Sequence, residues 1–348
     1  MTLDPVLAPL RVHVTGAEAN LGTRVLALLA ADPHVEDGSA TDCDVVVHLG
    51  AGDHDLRARR RESVTEGVAA MLADADTGRA GHIVLVSSAM VYGAYANNPI
   101  PLTEEAILRP DVEFVYARQL ATVEEMVDRW RRQVPGRTVT VLRPVIAVAA
   151  GGTSSLAAAL AAGLGQRFGE DDPPAQFLHL DDLASAVALA ATARLDGVFN
   201  VAPDGWIPAE RVRALTGTGP RIKLPDRVAE VVSALQWQFQ RGPIPPGLRS
   251  YTREPWLVAN DRLKAHGWRP QVTNEQAYVE GTEARWWTMI TPKRRQELAL
   301  AGMAVGAVAL GRVALSLFRR WRRSRRSAAL LALERSAVSS SRSAAASG

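Results

Sequence analysis

The chain has 348 residues, 47% of them hydrophobic, enough to bury a full core in one large domain or two joined ones, which excludes a disordered or fibrous protein. A single cysteine, Cys43, excludes an internal disulfide framework and suits a reducing compartment. The net charge of +3 hides an asymmetry: residues 293–348 hold twelve Arg or Lys against two Glu, a local +10 that leaves −7 on the first 292 residues, so the main domain has no electrostatic support for binding nucleic acid.

The opening MTLDPVLAPL has an acid at Asp4, no basic stretch and only a short apolar run before Arg11. It does not read as a secretion signal, and the main domain is expected in the cytoplasm. From Arg11, RVHVTGAEANLGTRVLALLAA alternates into a short strand, turns at Gly16, and shifts to helical spacing at Leu21, Val25 and Leu29. Within it, TGAEANLG puts Gly16 and Gly22 around a strand-to-helix turn whose free amides and helix dipole suit a pyrophosphate. Thr15, Gly16, Asn20, Leu21 and Gly22 are therefore candidate cofactor-binding residues. The middle position of the usual glycine fingerprint is Ala19, whose methyl weakens close approach of the backbone to a ligand.

An acid about 20 residues past the first glycine normally bonds an adenosine ribose. Glu36 and Asp37 stand there, with Asp37 the candidate. Only six residues separate Asp37 from Asp44, where the next strong strand begins, and a parallel crossover needs about 10–12. The adenine-side edge of the sheet is expected to be truncated. DVVVHLG (Asp44 to Gly50) and HIVLVSS (His82 to Ser88) read as parallel strands covered on both faces, with Leu49 and Gly50 as further cofactor candidates. DLRARRR, from Asp55, reads as a solvated charge run. Helices are expected around Val64 to Ala73 and Tyr116 to Gln133, and strands at TVTVLRP (Thr138 to Pro144) and GVFNVA (Gly197 to Ala202). Strands alternating with helices predict an α/β fold, a Rossmann-like doubly wound parallel sheet.

Residues 9–202 are expected to form that dinucleotide-binding domain. Residues 203–290, rich in Pro, Trp and Arg, read as a small α-rich substrate lobe, with some elements, including about 151–175, interleaved with the first domain. From Leu298 to Phe318 a stretch of 21 residues holds one charge, Arg312, and RRWRRSRR follows. The predicted C-terminal apolar helix with its arginine cluster, residues 293–326, suits anionic membrane lipid at the inner face of the membrane, either spanning the bilayer or lying on its surface. Residues 327–348 read as a disordered tail.

Taken in order, TGAEANLG, DVVVHLGAG, VSSAMVYG, VYARQ, VLRPV and FLHLDDLASAV resemble the extended short-chain dehydrogenases, the NAD-dependent epimerase/dehydratase group. REPWLVANDRLKAHGWRPQVT resembles the same family's end. The resemblance implies NAD or NADP as cofactor, a small-molecule substrate of the nucleotide-sugar class, and a homodimer. It also implies catalytic roles for Ser88, as hydroxyl donor, and for Tyr116, as general acid or base, with a lysine four residues after the tyrosine to favour the phenolate. That position is Leu120. Arg118 lies about 200° around the helix, and Gln119 has no charge with which to lower a tyrosine pKa.

Three departures at one cofactor site, Ala19, the short stretch after Asp37 and Leu120, lead to the expectation of an atypical, membrane-associated member whose redox activity is weakened or lost. An active epimerase or reductase with a rearranged site and a non-catalytic scaffold at the membrane stay open. His179 and Asp182 read as residues that fix a loop.

Overall fold

Alternation along the central strands sets the layers. Val45 and Val47 of β3 (Val45–His48) and Val84 and Val86 of β4 (His82–Val86) join one apolar cluster, while Val46, Ile83 and Leu85 join another on the opposite face. The side-chain period of two thus gives a sheet covered on both sides, and the continuous apolar runs follow from it. Helices α1 (Asn20–Ala30) and α5 (Leu180–Thr192) pack on the first face, and α2 (Val64–Thr77) and α3 (Val115–Gln133) on the second. The computed structural model describes residues 8–18, 20–49, 64–164, 173–216 and 246–282.

The main sheet has six parallel strands in the order β2-β1-β3-β4-β5-β8, where β1 is Leu10–Thr15, β2 Val35–Asp37, β5 Thr138–Pro144 and β8 Gly197–Val201. Two further short strands, β6 (Ile146–Val148) and β7 (Phe177–His179), pair in parallel as a separate sheet. The doubly wound fold expected from the sequence is present.

The expected truncation is visible in the register. β2 pairs only with the first half of β1, Leu10↔Val35 through Val12↔Asp37, and β3 then pairs with the second half, Val12↔Val45 through Thr15↔His48. The chain leaves β2 and enters β3 at the same level of β1, on opposite sides of it, so the connection from Gly38 to Asp44 needs no helix. Gly38 N–H donates to the Val12 carbonyl and Asp44 N–H to the Arg11 carbonyl, which ties this crossing down. Among the described residues no strand pairs on the outer side of β2.

The described parts of 203–282 fall in the same compact unit as residues 9–202. They include α6 (Ala209–Thr216) and a helix at Asn274–Gly281 with a Thr273/Gln276 capping box. Asp182 of α5 accepts from the backbone N–H of Gln271 (2.9 Å) and Val272 (3.0 Å), and Trp268 Nε1 donates to Ser185 Oγ at 3.0 Å. His179 lies 3.3 Å from Glu280. These two residues of FLHLDDLA thus bind the chain's later turns to the sheet. Among the described residues no helix is long and apolar enough to cross a membrane. The apolar helix and arginine cluster expected at 293–326, and the tail after them, lie outside the described residues.

Candidate functional site

A cavity of about 150 Å³ opens at the carboxyl ends of β3, β4 and β5, the place where open parallel sheets bind ligands. Leu49, Val86, Ser87 and Ser88 come to it from the ends of β3 and β4, Tyr116 from the first turn of α3, and Pro144 to Ala147 from the end of β5 onward. Asn20 and Leu21 reach it from the start of α1, and Leu156, Ala157 and Leu160 from α4 (Ser155–Gly163). Trp256 completes the described wall, its indole donating to the Tyr251 carbonyl at 2.9 Å.

Of the residues singled out from the sequence, Asn20, Leu21, Leu49, Ser88 and Tyr116 meet in this cavity. Thr15, Gly16 and Gly22 shape the turn beside it. Gly16 has φ +73° directly after β1, a left-handed conformation that glycine adopts at little cost. A Cβ on Gly22 would stand 2.2 Å from the Ala17 carbonyl oxygen, so only glycine lets α1 start against this turn. Thr15 Oγ1 is 2.7 Å from His48 Nδ1, which ties the ends of β1 and β3 together; burial lowers the His48 pKa.

Asp37, the last residue of β2, does not line this cavity. It is exposed and pairs with Val12, three residues before the end of β1, about 10 Å short of the strand's carboxyl end at roughly 3.3 Å per residue. Gly50 and Ala19 lie outside the described residues.

Ser88 sits in extended backbone after β4 and accepts a hydrogen bond from Met90 N–H at 3.2 Å, which leaves its hydroxyl proton to donate. Tyr116 is half-buried, edge-on to Phe114 at 5.8 Å. Burial pushes its pKa up to about 12. At neutral pH it is therefore a phenol, able to donate a hydrogen bond, and not a phenolate. Leu120, one turn later, is 1% exposed and belongs to the apolar core between α2, α3 and the sheet, with Val68, Ile83 and Leu85. It does not line the described cavity.

Four residues beyond Leu120, Glu124 begins a buried polar network that the sequence reading passed over. Ser87 Oγ donates to Glu124 Oε1 at 2.5 Å, and Arg143 of β5 holds the same carboxylate with Nη2 at 2.6 Å. Arg143 Nη1 donates to the Tyr92 hydroxyl at 2.7 Å, which in turn donates to Asn200 Oδ1 at 2.8 Å. Both charges are 6% exposed at the side chain. Each quoted motif, VSSAMVYG, VLRPV and GVFNVA, contributes a member.

The NAD dependent epimerase/dehydratase family matches residues 22–202, just over half of the chain. The chain belongs to this family. An uncharacterized protein of Mycobacterium tuberculosis is 23% identical over 271 residues, covering 76% of this chain and 72% of that protein. Among solved structures, UDP-glucose 4-epimerase of Thermus thermophilus, in complex with NAD, aligns at TM-score 0.57 and 16% identity over 78% of this chain and 98% of that one. RMD from Pseudomonas aeruginosa, complexed with NADPH, aligns at 0.55 and 21%, covering 78% and 97%. The terminal R domain of the myxalamid biosynthetic pathway aligns at 0.58 and 15%, covering 80% and 90%. At these identities the likeness is one of fold.

The described residues of this family member fit a nicotinamide cofactor on one side. The Gly16 turn, the close Gly22 packing and the cavity from Leu49 to Ala147 suit its diphosphate and ring. On the adenosine side β2 ends at Asp37, level with Val12 of β1.

Proposed function

We propose that this chain is an atypical, membrane-associated member of its family that holds NAD or NADP and a small substrate bearing a hydroxyl or carbonyl, with redox activity weakened. Nucleotide-sugar-like compounds are the substrate class from which such a site descends. The observation that carries the reading is Leu120, a core residue where a cation would otherwise favour the Tyr116 phenolate.

A bound nicotinamide would supply hydride exchange. The chain's own part is orientation: the Ser88 and Tyr116 hydroxyls donate to one substrate oxygen, and Leu49, Val86 and Val145 keep water from it. Because Tyr116 stays protonated well past neutrality, the arrangement suits giving a proton to a carbonyl oxygen better than taking one from an alcohol. That favours a working reductase as the second reading over an alcohol oxidase.

Calorimetric titration of the full chain with NAD and with NADP tests the proposal. Binding of either supports it, together with slow carbonyl reduction that Tyr116→Phe abolishes. No binding of either at about 100 times an ordinary micromolar Kd overturns it. The membrane part rests on the sequence of residues 293–348. Removing them should release the protein from membranes, and unchanged partition would refute that part.

A further inference from the structure

Tyr251 is 1% exposed and carries a hydroxyl where phenylalanine would fill the same space. A buried hydroxyl is penalised unless it is bonded, so its partners show what it holds. It donates to the Met90 carbonyl at 2.8 Å and accepts a long bond from Asp111 N–H at 3.5 Å. Burial raises its pKa, which keeps the proton on the donor. Met90 leads out of Ser88: its carbonyl is held by Tyr251 and by Gly93 N–H at 3.0 Å, and its own N–H donates to Ser88 Oγ. Asp111 leads into α3, whose first turn carries Tyr116: its carbonyl accepts from Phe114 N–H at 3.1 Å and its Oδ1 from Glu113 N–H at 2.9 Å.

That lead-in needs outside support. Helix α3 starts from Phe114, a side chain with no oxygen to cap the free N–H groups of the first turn. The support comes from residues 246–253. Ser250 Oγ donates to Asp111 Oδ2 at 2.7 Å, and a Cβ on Gly247 would stand 2.9 Å from the Glu113 carbonyl oxygen, so the two backbones are in direct contact. The Tyr251 ring lies edge-on to Phe114 at 5.6 Å, and Phe114 in turn edge-on to Tyr116 at 5.8 Å. On its other side Tyr251 meets Trp256 of the cavity wall, ring to ring at 5.5 Å.

We infer that Tyr251 is a positioning residue for the site: one buried side chain fixes the segment that follows Ser88 and the segment that precedes Tyr116, and so sets the spacing of the two hydroxyls. This rests on the proposed function only in taking Ser88 and Tyr116 as the hydroxyls that face a ligand. It does not depend on which compound the cavity holds.

The test is fluorine NMR of the full-length protein grown with 3-fluorotyrosine, in which the Tyr116 resonance is identified by its loss in Tyr116→Phe. Tyr251→Phe keeps the ring and removes the hydroxyl. It is expected to shift the Tyr116 resonance or split it in two, and Tyr278→Phe to leave it in place. Tyr278 is the control because it packs in the same apolar cluster, edge-on to Phe177, without lining the cavity. Where carbonyl reduction is measured, Tyr251→Phe should lower kcat about tenfold or more, the scale of effect that a small misplacement of reacting groups has, with the cofactor Kd within about twofold. A Tyr116 resonance unmoved by Tyr251→Phe, or moved equally by Tyr278→Phe, or an unchanged kcat, would overturn the inference. If Tyr251→Phe does not fold, Ser250→Ala, which removes only the bond to Asp111, takes its place and is read in the same way. Absence of NAD and NADP binding in the wild type, with the Tyr116 shift present, would instead overturn the proposed function and leave the positioning role standing.

Discussion

The carboxyl edge of the sheet differs between its centre and its outer end. At the centre, Ser87, Glu124, Arg143, Tyr92 and Asn200 form one buried network in which each side chain has a partner. At the outer end β2 stops after three residues, and Asp37 is left exposed beside the middle of β1. The centre is held by folding itself, because a buried charge stripped of its partner costs several kcal/mol. The outer end is held by its short ladder to β1 and by Val35 against the core, with no buried charge to anchor it. Leu120 follows the same logic: inside an apolar core, leucine packs where an unpaired ammonium would be penalised.

The sharpest way to break this contrast is at the centre. Glu124→Ala leaves Arg143 buried and unpaired and should cost about 3–5 kcal/mol, read as a fall in the urea midpoint; a loss below about 1 kcal/mol would mean that the network does not hold the strand ends. Leu120→Ala should cost about 3 kcal/mol as a core truncation while leaving the Kd for NAD or NADP unchanged. A changed Kd with unchanged stability would place Leu120 at the cofactor instead.

The opposite ends of the same strands supply a third case. His82, buried at the start of β4 and 2.7 Å from Thr138 Oγ1, has its pKa lowered to about 4 by burial, with Arg194 adding to the effect. The neutral form is the one the fold accepts, so the stabilisation is complete above the unfolded value near 6.5. It should be lost as pH falls toward 4, at up to about 1.4 kcal/mol per pH unit. Urea midpoints measured from pH 7 to pH 4 on the wild type and His82→Gln check this, and equal slopes would refute it. The smallest effect is expected at the outer end. Asp37→Ala should change stability by less than about 0.5 kcal/mol and leave cofactor affinity within about twofold, whereas a tenfold loss in calorimetry would return Asp37 to the site.

Much of this fold was legible because its main strands are buried on both faces and leave long β-branched runs. DVVVHLG, HIVLVSS and TVTVLRP announce themselves, and the six residues after Asp37 disclosed the missing edge. β2, β6 and β7 were not legible. Three residues each give no period, and VED is held by its pairing with β1, not by its own apolar content. Motif spacing picked out Ser88 and Tyr116, which the fold brings to one cavity. The Glu124–Arg143 pair escaped because its members lie 19 positions apart, and the apolar cavity wall because α4 and Trp256 meet only in the folded chain. Where Asp37 falls along β1 was not legible, because position in sequence does not reveal where a short neighbour pairs.

The account's central claim is that Tyr116, without a cation one turn later, is a neutral phenol at working pH. The direct measurement is the phenolate absorbance of the wild type minus that of Tyr116→Phe, followed from pH 6 to pH 10. The account predicts no titration in that difference, in keeping with a pKa of about 12. An inflection between about pH 6 and pH 9, the range of a catalytic base poised near working pH, would contradict it.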